Sequence, residues 1–143
     1  MQSELDKAHE AVQVAAQQAA ADPQRPVYHF RPAARWMNDP NATIYHAGWY
    51  HLFYQHNPYG TEWGHMSWGH ATSKDLVNWE HHPVAIWECP EEGYTIFSGS
   101  IVVDRENLSG FGVDDRAALV AIYTADHQAA DPHVQDVHVA SSL

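Results

Sequence analysis

Short runs in which apolar and polar residues alternate dominate the chain after residue 26, and this period of two predicts β-strands. The runs Thr43–His46 and Trp49–Gln55 are separated only by Ala47-Gly48, which is the sequence signal of a β-hairpin. Further candidate strands lie in "HMSWGHATS", around Val77–Glu80, and in "YTIFSGSIVVD", "AALVAIYTAD" and "DPHVQDVHVASS". About seven short strands with no helix between them predict antiparallel meanders, as in a sandwich, barrel or propeller.

The start of the chain has a different pattern. From Ser3 to Ala21, Ala and Gln are abundant and apolar residues recur at helical spacing, which predicts a helix. Pro23 and Pro26 cannot continue it, so residues 1–26 are predicted to be a leader helix and linker without chemistry. Residues 27–143 form the β-rich part, and its last predicted strand leaves an open sheet edge. We therefore expect this part to be the front portion of a larger fold.

Composition and charge narrow the class of protein. The chain has 143 residues, of which 45% are hydrophobic, so it is large enough for a packed core. Its formal net charge of −11 disfavours nucleic acid and anionic membrane surfaces as partners, whereas a neutral sugar is compatible with it. The chain has a single cysteine, so it cannot form an intrachain disulfide. It contains no run of about 18 apolar residues, so no membrane-spanning helix is predicted. The N-terminus shows no signal-peptide pattern, so we expect a cytoplasmic location.

The stretch "RWMNDPN" contains the first candidate for chemistry, Asp39. Asn38-Asp39-Pro40 is good turn chemistry, so a purely structural role is one interpretation. The other is a carboxylate held rigidly at the entrance of a strand, with Asn38 as a hydrogen-bonding neighbour and Trp36 as an aromatic wall. The residue types alone leave both interpretations open, and the same holds for the aromatic residues, which equally well fill a core.

Five motifs, taken in this order and at this spacing, identify a protein family far more specifically than N-D-P alone would. They are "HFRPAARWMNDPN", "GWYHLFYQHNP", "EWGHMSWGHATSKDLVNWEHHPVAI", "IFSGSIVVD" and "AIYTA". From Tyr28 to Ser141 the chain resembles glycoside hydrolase family 32, the group of invertases, sucrose-6-phosphate hydrolases, levanases and inulinases. The resemblance implies a five-bladed β-propeller, so the chain is expected to be all-β and to form roughly its first two blades after the N-terminal helix.

The resemblance also implies roles for individual residues. Asp39 would be the nucleophile, and the residues expected to contact the fructosyl unit are Trp36, Asn38, Gln55, Trp63, Phe97 and Ser98. Retaining glycosidases use two carboxyl groups about 5–5.5 Å apart, one as nucleophile and one as acid and base. The implied function is a β-fructofuranosidase that cleaves sucrose, sucrose-6-phosphate or β-fructans through a fructosyl-enzyme intermediate, without a cofactor.

The chain also departs from the family pattern. Ala42 stands where the family usually has Gly after W-M-N-D-P-N, which would cost stability if that position needs a positive φ. The R-D-P element of the family is absent, and the "EC" at Glu88-Cys89 precedes "FSGS", whereas the acid/base of the family follows it. We therefore interpret Glu88 as a coincidental match and expect the remainder of the propeller to supply the partner carboxylates. The isolated chain would then have little activity.

Two alternatives stay open from the sequence. The chain could be a non-catalytic carbohydrate-binding or scaffolding remnant of the same fold, or a fragment that is not stably folded alone. Twelve histidines are present, but without the spacing of H-E-x-x-H, so no metal site is predicted. Asn41 and Asn107 match the N-glycosylation pattern, and we interpret both as chance matches.

Overall fold

The chain folds into one α-helix followed by two antiparallel β-sheets in the computed structural model, which describes residues 3–143. Helix α1 spans Glu4–Ala20, and Ser3 caps it through a capping box with Asp6. The strands are β1 (Trp36–His46), β2 (Trp49–Asn57), β3 (Ser67–Ser73), β4 (Trp79–His81), β5 (Thr95–Asp104), β6 (Ala118–His127) and β7 (Val134–Ser142). Within the described residues, no helix is both long enough and apolar enough to cross a membrane.

The strands form two meanders, in the order β1-β2-β3-β4 and β5-β6-β7, and every pair is antiparallel. The expectation of about seven strands in successive meanders is confirmed. The hairpin at Ala47-Gly48 also forms, and both residues have positive φ, at 49° and 87°. Two consecutive positive φ values fit a turn of type I′, whose twist matches that of the flanking strands.

Strand β1 begins earlier than the sequence predicted. It starts at Trp36 rather than Thr43, so Asn38-Asp39-Pro40 lies within a strand. The pairing of β1 with β2 shifts register on both sides of Pro40. Pro40 has no N–H to donate to a ladder, and such bulges are where a strand tolerates proline. The turn-like composition therefore produces a bulged strand.

The main core lies between the two sheets. Ala42, Phe53 and Trp68 from the first sheet pack with Ile96, Ala121 and Tyr123 from the second. Ala42 is buried in β1 and is not among the residues with positive φ. The departure from the family glycine therefore causes no backbone strain, and the methyl group adds apolar surface to the core.

Gly99, in the "FSGS" motif of β5, is required by close packing between strands. A Cβ atom placed on Gly99 would lie 2.2 Å from the carbonyl oxygen of Ile122 and 2.6 Å from the Cα of Tyr123. Both atoms belong to the backbone of β6, so they cannot rotate away. The pairing of β5 with β6 also shifts register between Ile96 and Gly99. The glycine thus allows β6 to approach the bulge that precedes Ser100.

We expect Gly99→Ala to lower the free energy of unfolding by roughly 2–4 kcal/mol, because the strands must separate to admit the methyl group. Urea unfolding followed by circular dichroism measures the effect. Ser100→Ala, at the exposed neighbouring position, is the matched control and should change stability by no more than about 0.5 kcal/mol. Equal stability of the two variants would contradict the packing argument.

Candidate active site

Both sheets place their candidate site residues at the same end. The start of β1 pairs with the end of β2, where Trp36 lies opposite Asn57, and the end of β2 pairs with the start of β3, where Gln55 lies opposite Trp68. The second sheet joins this end through its first strand, because the amide of Ile96 donates to the carbonyl of Met66 at 2.9 Å. Side chains from β1, β2, β5 and the loop between β2 and β3 can therefore converge.

A hydrogen bond joins Asp39 to the second sheet. The hydroxyl of Ser98 in β5 donates to Oδ2 of Asp39 in β1 at 3.0 Å, and both residues are exposed to solvent. No hydrogen bond to Oδ1 occurs within residues 3–143. One carboxylate oxygen of this exposed residue is thus held by a neutral donor while the other has no hydrogen bond from any residue that the structure describes, which is a suitable arrangement for a carboxylate that attacks a substrate.

Asn41 lies beneath this pair and orients it. The residue is only 9% exposed, and the hydrogen-bonding groups around its side-chain amide determine which way that amide points. In that orientation its oxygen accepts from the backbone N–H of Gln55 at 3.1 Å and from Nε1 of Trp68 at 2.9 Å, while its nitrogen donates to Oγ of Ser98 at 3.2 Å. The same Nε1 of Trp68 also donates to the carbonyl of Phe97 at 3.0 Å. Because Ser98 accepts from Asn41, its own hydroxyl proton is available to Asp39.

Gln55 is buried without partners for its side chain. The residue is 3% exposed, yet neither Oε1 nor Nε2 has a hydrogen bond among the described residues. A buried polar atom without a partner costs about 1–3 kcal/mol, so such atoms are uncommon in stable folds. Gln55 lies on β2 opposite Trp68, and the indole nitrogen of Trp68 donates to the side chain of Asn41. Its side-chain amide therefore keeps a buried donor and a buried acceptor without partners among the described residues.

Two aromatic rings stand on the rim of this end. Trp63, in the loop between β2 and β3, is 55% exposed, and its ring lies edge-on to that of Phe97 with centroids 6.3 Å apart. The buried Asn57 fixes the loop, since its Oδ1 accepts from the amides of Tyr59 and Gly60 and its Nδ2 donates to the carbonyl of Glu62. Trp63 is thus presented by an ordered loop.

Trp36 is held at the beginning of β1 by its backbone. Its amide donates to the carbonyl of Gly60 at 3.1 Å, and its carbonyl lies 2.8 Å from Nδ1 of His56. A carbonyl only accepts, so the proton of His56 is on Nδ1. Burial lowers the pKa of His56 to about 4, which keeps this ring neutral. Asn38, two residues after Trp36, is exposed beside Asp39.

Glu88 lies in the connection between β4 and β5 and has its own partners. Its carboxylate is 2.6 Å from Nδ1 of His65, and its backbone amide donates to Oγ of Ser67. These contacts link the connection to the residues that follow Trp63. They give Glu88 partners of its own, and its interpretation as a coincidental match to the acid/base motif stays a prediction.

The structure adds residues that the sequence interpretation did not include in the site. Asn41 is the last residue of W-M-N-D-P-N, and its sequence context indicates only a chance match to the glycosylation pattern. Its burial beneath Ser98 makes it a poor acceptor for a glycan and an ordering element of the site. Trp68 and Asn57 act in the same supporting way. In the sequence, only their positions within the family motifs could have indicated these roles, because each role depends on contacts between segments that are distant in the chain.

Comparison with known proteins finds similarity to one family of glycoside hydrolases. The model of the "Glycosyl hydrolases family 32 N-terminal domain" matches residues 29–142. The levanase of Bacillus subtilis (strain 168) is 62% identical over 104 residues, which cover 73% of this chain and 15% of the levanase. The invertase of Schwanniomyces occidentalis is 49% identical over 126 residues, which cover 83% of this chain and 22% of the invertase. The chain thus spans about a fifth or less of the length of these relatives.

Solved structures agree with the sequence comparison. The exo-inulinase of Aspergillus awamori superposes with a TM-score of 0.79 at 46% identity, over 86% of this chain and 26% of the inulinase. A fructofuranosidase variant from Schwanniomyces occidentalis, complexed with fructosylnystose, gives a TM-score of 0.74 at 46% identity, over 83% of this chain and 23% of the other. The neighbours are β-propellers, so the two meanders correspond to the N-terminal part of a propeller.

Proposed function

The chain belongs to glycoside hydrolase family 32, whose similar members include a levanase, an exo-inulinase and an invertase, and we propose that it supplies the nucleophile-bearing part of a β-fructosidase active site. The observation that carries this proposal is the hydrogen bond from Ser98 to Asp39, which joins the two sheets at the predicted nucleophile. Sucrose, sucrose-6-phosphate and β-fructans are the proposed substrates.

In the proposed reaction, Oδ1 of Asp39 attacks the anomeric carbon of the fructosyl unit. The glycosidic bond breaks as the carboxylate bond forms, and the leaving oxygen takes a proton from a second carboxyl group. The transition state resembles an oxocarbenium ion, so the negative charge of Asp39 stabilises it before the bond is complete. Water then attacks the same carbon and gives a proton to the second carboxylate, while the bond to Asp39 breaks and restores its carboxylate; the two inversions give net retention. The donation from Ser98 holds the attacking group in place during both steps.

The sugar would satisfy the amide of Gln55. Sugar hydroxyls both donate and accept, and Gln55 offers one buried acceptor and one buried donor without protein partners. Asn38 offers a second amide beside Asp39. The rings of Trp36, Trp63 and Phe97 would form apolar walls against the C–H face of the fructosyl unit.

The second sheet exposes an apolar face that suits a further blade. Val102, Ile122, Val137 and Val139 lie on the side that faces away from the first sheet, and each is 45–71% exposed. Ile122 and Val139 are direct neighbours across β6 and β7. We propose that the remainder of the propeller packs on this face and supplies the acid/base, because burying these side chains would contribute several kcal/mol.

A chimera with the Bacillus subtilis levanase tests this division of the site. Residues 29–142, the range that the family model matches, would replace the corresponding segment of the levanase, which is 62% identical to this chain over 104 residues. We expect the chimera to release fructose from levan and the 143-residue chain to show no useful turnover on sucrose or levan. A folded but inactive chimera would contradict the proposal. Turnover by the isolated chain that Asp39→Ala abolishes would show that the chain holds both carboxylates.

A non-catalytic carbohydrate-binding module would give a different pair of results from an enzyme in two measurements, fructose binding and activity of the chimera. A module of that kind would quench tryptophan fluorescence when fructose is added, and it would leave the levanase chimera inactive. Binding together with activity in the chimera supports the enzymatic role.

Gln55→Met tests whether the unpartnered amide is kept for a ligand. We expect the chimera carrying it to be at least as stable as its parent, since two buried polar atoms without partners are removed. Its affinity for fructose should fall about tenfold or more, because the hydrogen bonds to the sugar are lost. Thermal melts and fluorescence titration measure the two effects.

Gln128→Met, at an exposed position, is the matched control and should change neither property. A Gln55→Met variant that loses stability and binds fructose normally would show that the amide has a structural role instead.

A further inference from the structure

The hairpin of β6 and β7 carries a pattern that fructoside hydrolysis does not use. Aspartate precedes histidine three times, in Asp126-His127, Asp131-Pro132-His133 and "DVH" at positions 136–138. The proposed sugar site contains none of these residues. They lie instead around the turn and along the outer strand of the second sheet.

Three of these side chains come together. Nε2 of His127 and Nε2 of His138 each lie 3.1 Å from the same oxygen, Oδ1 of Asp136. All three ligand atoms lie within 4.8 Å of one another. His127 is the last residue of β6, and Asp136 and His138 alternate on one face of β7, so the strand pairing itself sets the arrangement.

We propose that His127, Asp136 and His138 form a binding site for a divalent transition-metal ion, with Zn²⁺ as the best match. Two imidazole nitrogens and a carboxylate oxygen are donors that Zn²⁺ accepts, at about 2.0–2.2 Å from each. Tetrahedral coordination at such bond lengths separates neighbouring ligand atoms by about 3.3 Å. The two observed separations between an imidazole nitrogen and the carboxylate oxygen, 3.1 Å each, are close to this value, and the two nitrogens lie within 4.8 Å of each other. Three protein ligands leave a fourth position for water.

The surroundings suit an incoming cation. The side chains of His127 and His138 are 25% and 29% exposed, and Asp136 is 52% exposed, so the imidazoles are partly held by packing and the ion has access from solvent. The ring of Tyr94 lies 5.4 Å from that of His127 and 4.7 Å from that of His138, between centroids, and limits their rotation. Within residues 3–143, no Lys or Arg pairs with Asp136.

The third histidine of the pattern is a natural control. His133 pairs with Asp126 at 2.8 Å, and Asp126 also accepts from the side chain of Gln135. This pair belongs to the same hairpin but not to the cluster. The expectation of no metal site rested on the spacing of histidines along a helix, whereas here strand pairing joins residues nine and two positions apart. The site is independent of the proposed fructosidase activity.

Isothermal titration of the untagged, chelator-treated 143-residue chain with ZnCl₂ tests the proposal. We expect one saturable site, a higher melting temperature with Zn²⁺, and a visible absorption band of tetrahedral type with Co²⁺. His127→Gln and His138→Gln should each weaken Zn²⁺ binding at least tenfold and remove the Co²⁺ band, and His133→Gln should do neither.

Two results would contradict the proposed metal site. One is the absence of saturable Zn²⁺ binding, and the other is binding that His133→Gln weakens as much as His138→Gln does. If a histidine variant melts abnormally without metal, Asp136→Asn replaces it, because that side chain is the most exposed of the three. The expectation for it is the same tenfold loss, and unchanged affinity contradicts the proposal.

Discussion

Asp39→Asn, placed in the levanase chimera, is expected to lower kcat for fructan hydrolysis by about three to five powers of ten. Asparagine has nearly the same shape and still accepts the hydrogen bond of Ser98, so the site should keep its geometry. It has no negative charge to stabilise the oxocarbenium-like transition state, and its amide is a poor nucleophile. Release of fructose under saturating substrate measures the change.

Asp114→Asn is the matched control for this prediction. Asp114 is exposed in the loop between β5 and β6 and has a φ of 53°, a conformation that asparagine adopts readily. Its replacement should leave kcat unchanged. Ser98→Ala should cost only about 10- to 100-fold, because it removes the positioning of Asp39 and not its charge. If Asp39→Asn keeps its activity within tenfold, Asp39 is not the nucleophile.

Acid is expected to destabilise the fold well before its carboxylates are protonated. Burial lowers the pKa of His56 to about 4 and, with the neighbouring rings of His82 and His51, that of His70 to about 3. Both groups titrate near 6.5 in the unfolded chain, so between pH 6.5 and about 4 the unfolded state binds more protons. Stability from these groups is fully present above pH 6.5 and is lost as the pH falls, by roughly 1.4 kcal/mol per pH unit for each histidine.

Urea unfolding at pH 7.5, 6.5, 5.5 and 4.5 measures this loss. Over two pH units the two histidines would remove roughly 5 kcal/mol, which is comparable to the whole stability of many domains. His70→Phe should reduce the slope, since the ring of His70 already stacks on Phe53 at 4.2 Å between centroids and phenylalanine does not titrate. His29→Gln, at an exposed position, should leave it unchanged. Equal slopes in all three proteins would contradict the assignment to buried histidines.

Local signals predicted most of the strands but placed some of their ends incorrectly. The period of two, the break at Ala47-Gly48 and the prolines after α1 depend on neighbours in the chain, so the sequence was sufficient for them. The early start of β1 was missed because Asn38-Asp39-Pro40 has the composition of a turn. Pairing with β2, which follows later in the chain, keeps those residues extended despite their preference.

The residues of the candidate site also fall into two groups, those that the sequence motifs predicted and those that only the fold reveals. Motifs singled out Asp39, Gln55 and Ser98, because particular residue types at particular spacings are visible in one dimension. Neither the buried position of Asn41 nor the unpartnered amide of Gln55 could be predicted, since both depend on what the opposite sheet places nearby. The roles of the site residues and the cytoplasmic location stay predictions.

The hydrogen bond between Ser98 and Asp39 also has a consequence for the order of folding. Its two residues are 59 positions apart, whereas the hairpin of β1 and β2 closes through a two-residue turn. Local hairpins form in microseconds, but contacts between distant segments wait for the slower closure of long loops. During synthesis, Asp39 would emerge and pair within its own sheet before Ser98 has been made. The carboxylate therefore acquires its orienting partner only when the second sheet docks, so competence for chemistry would be among the last properties the folding chain gains.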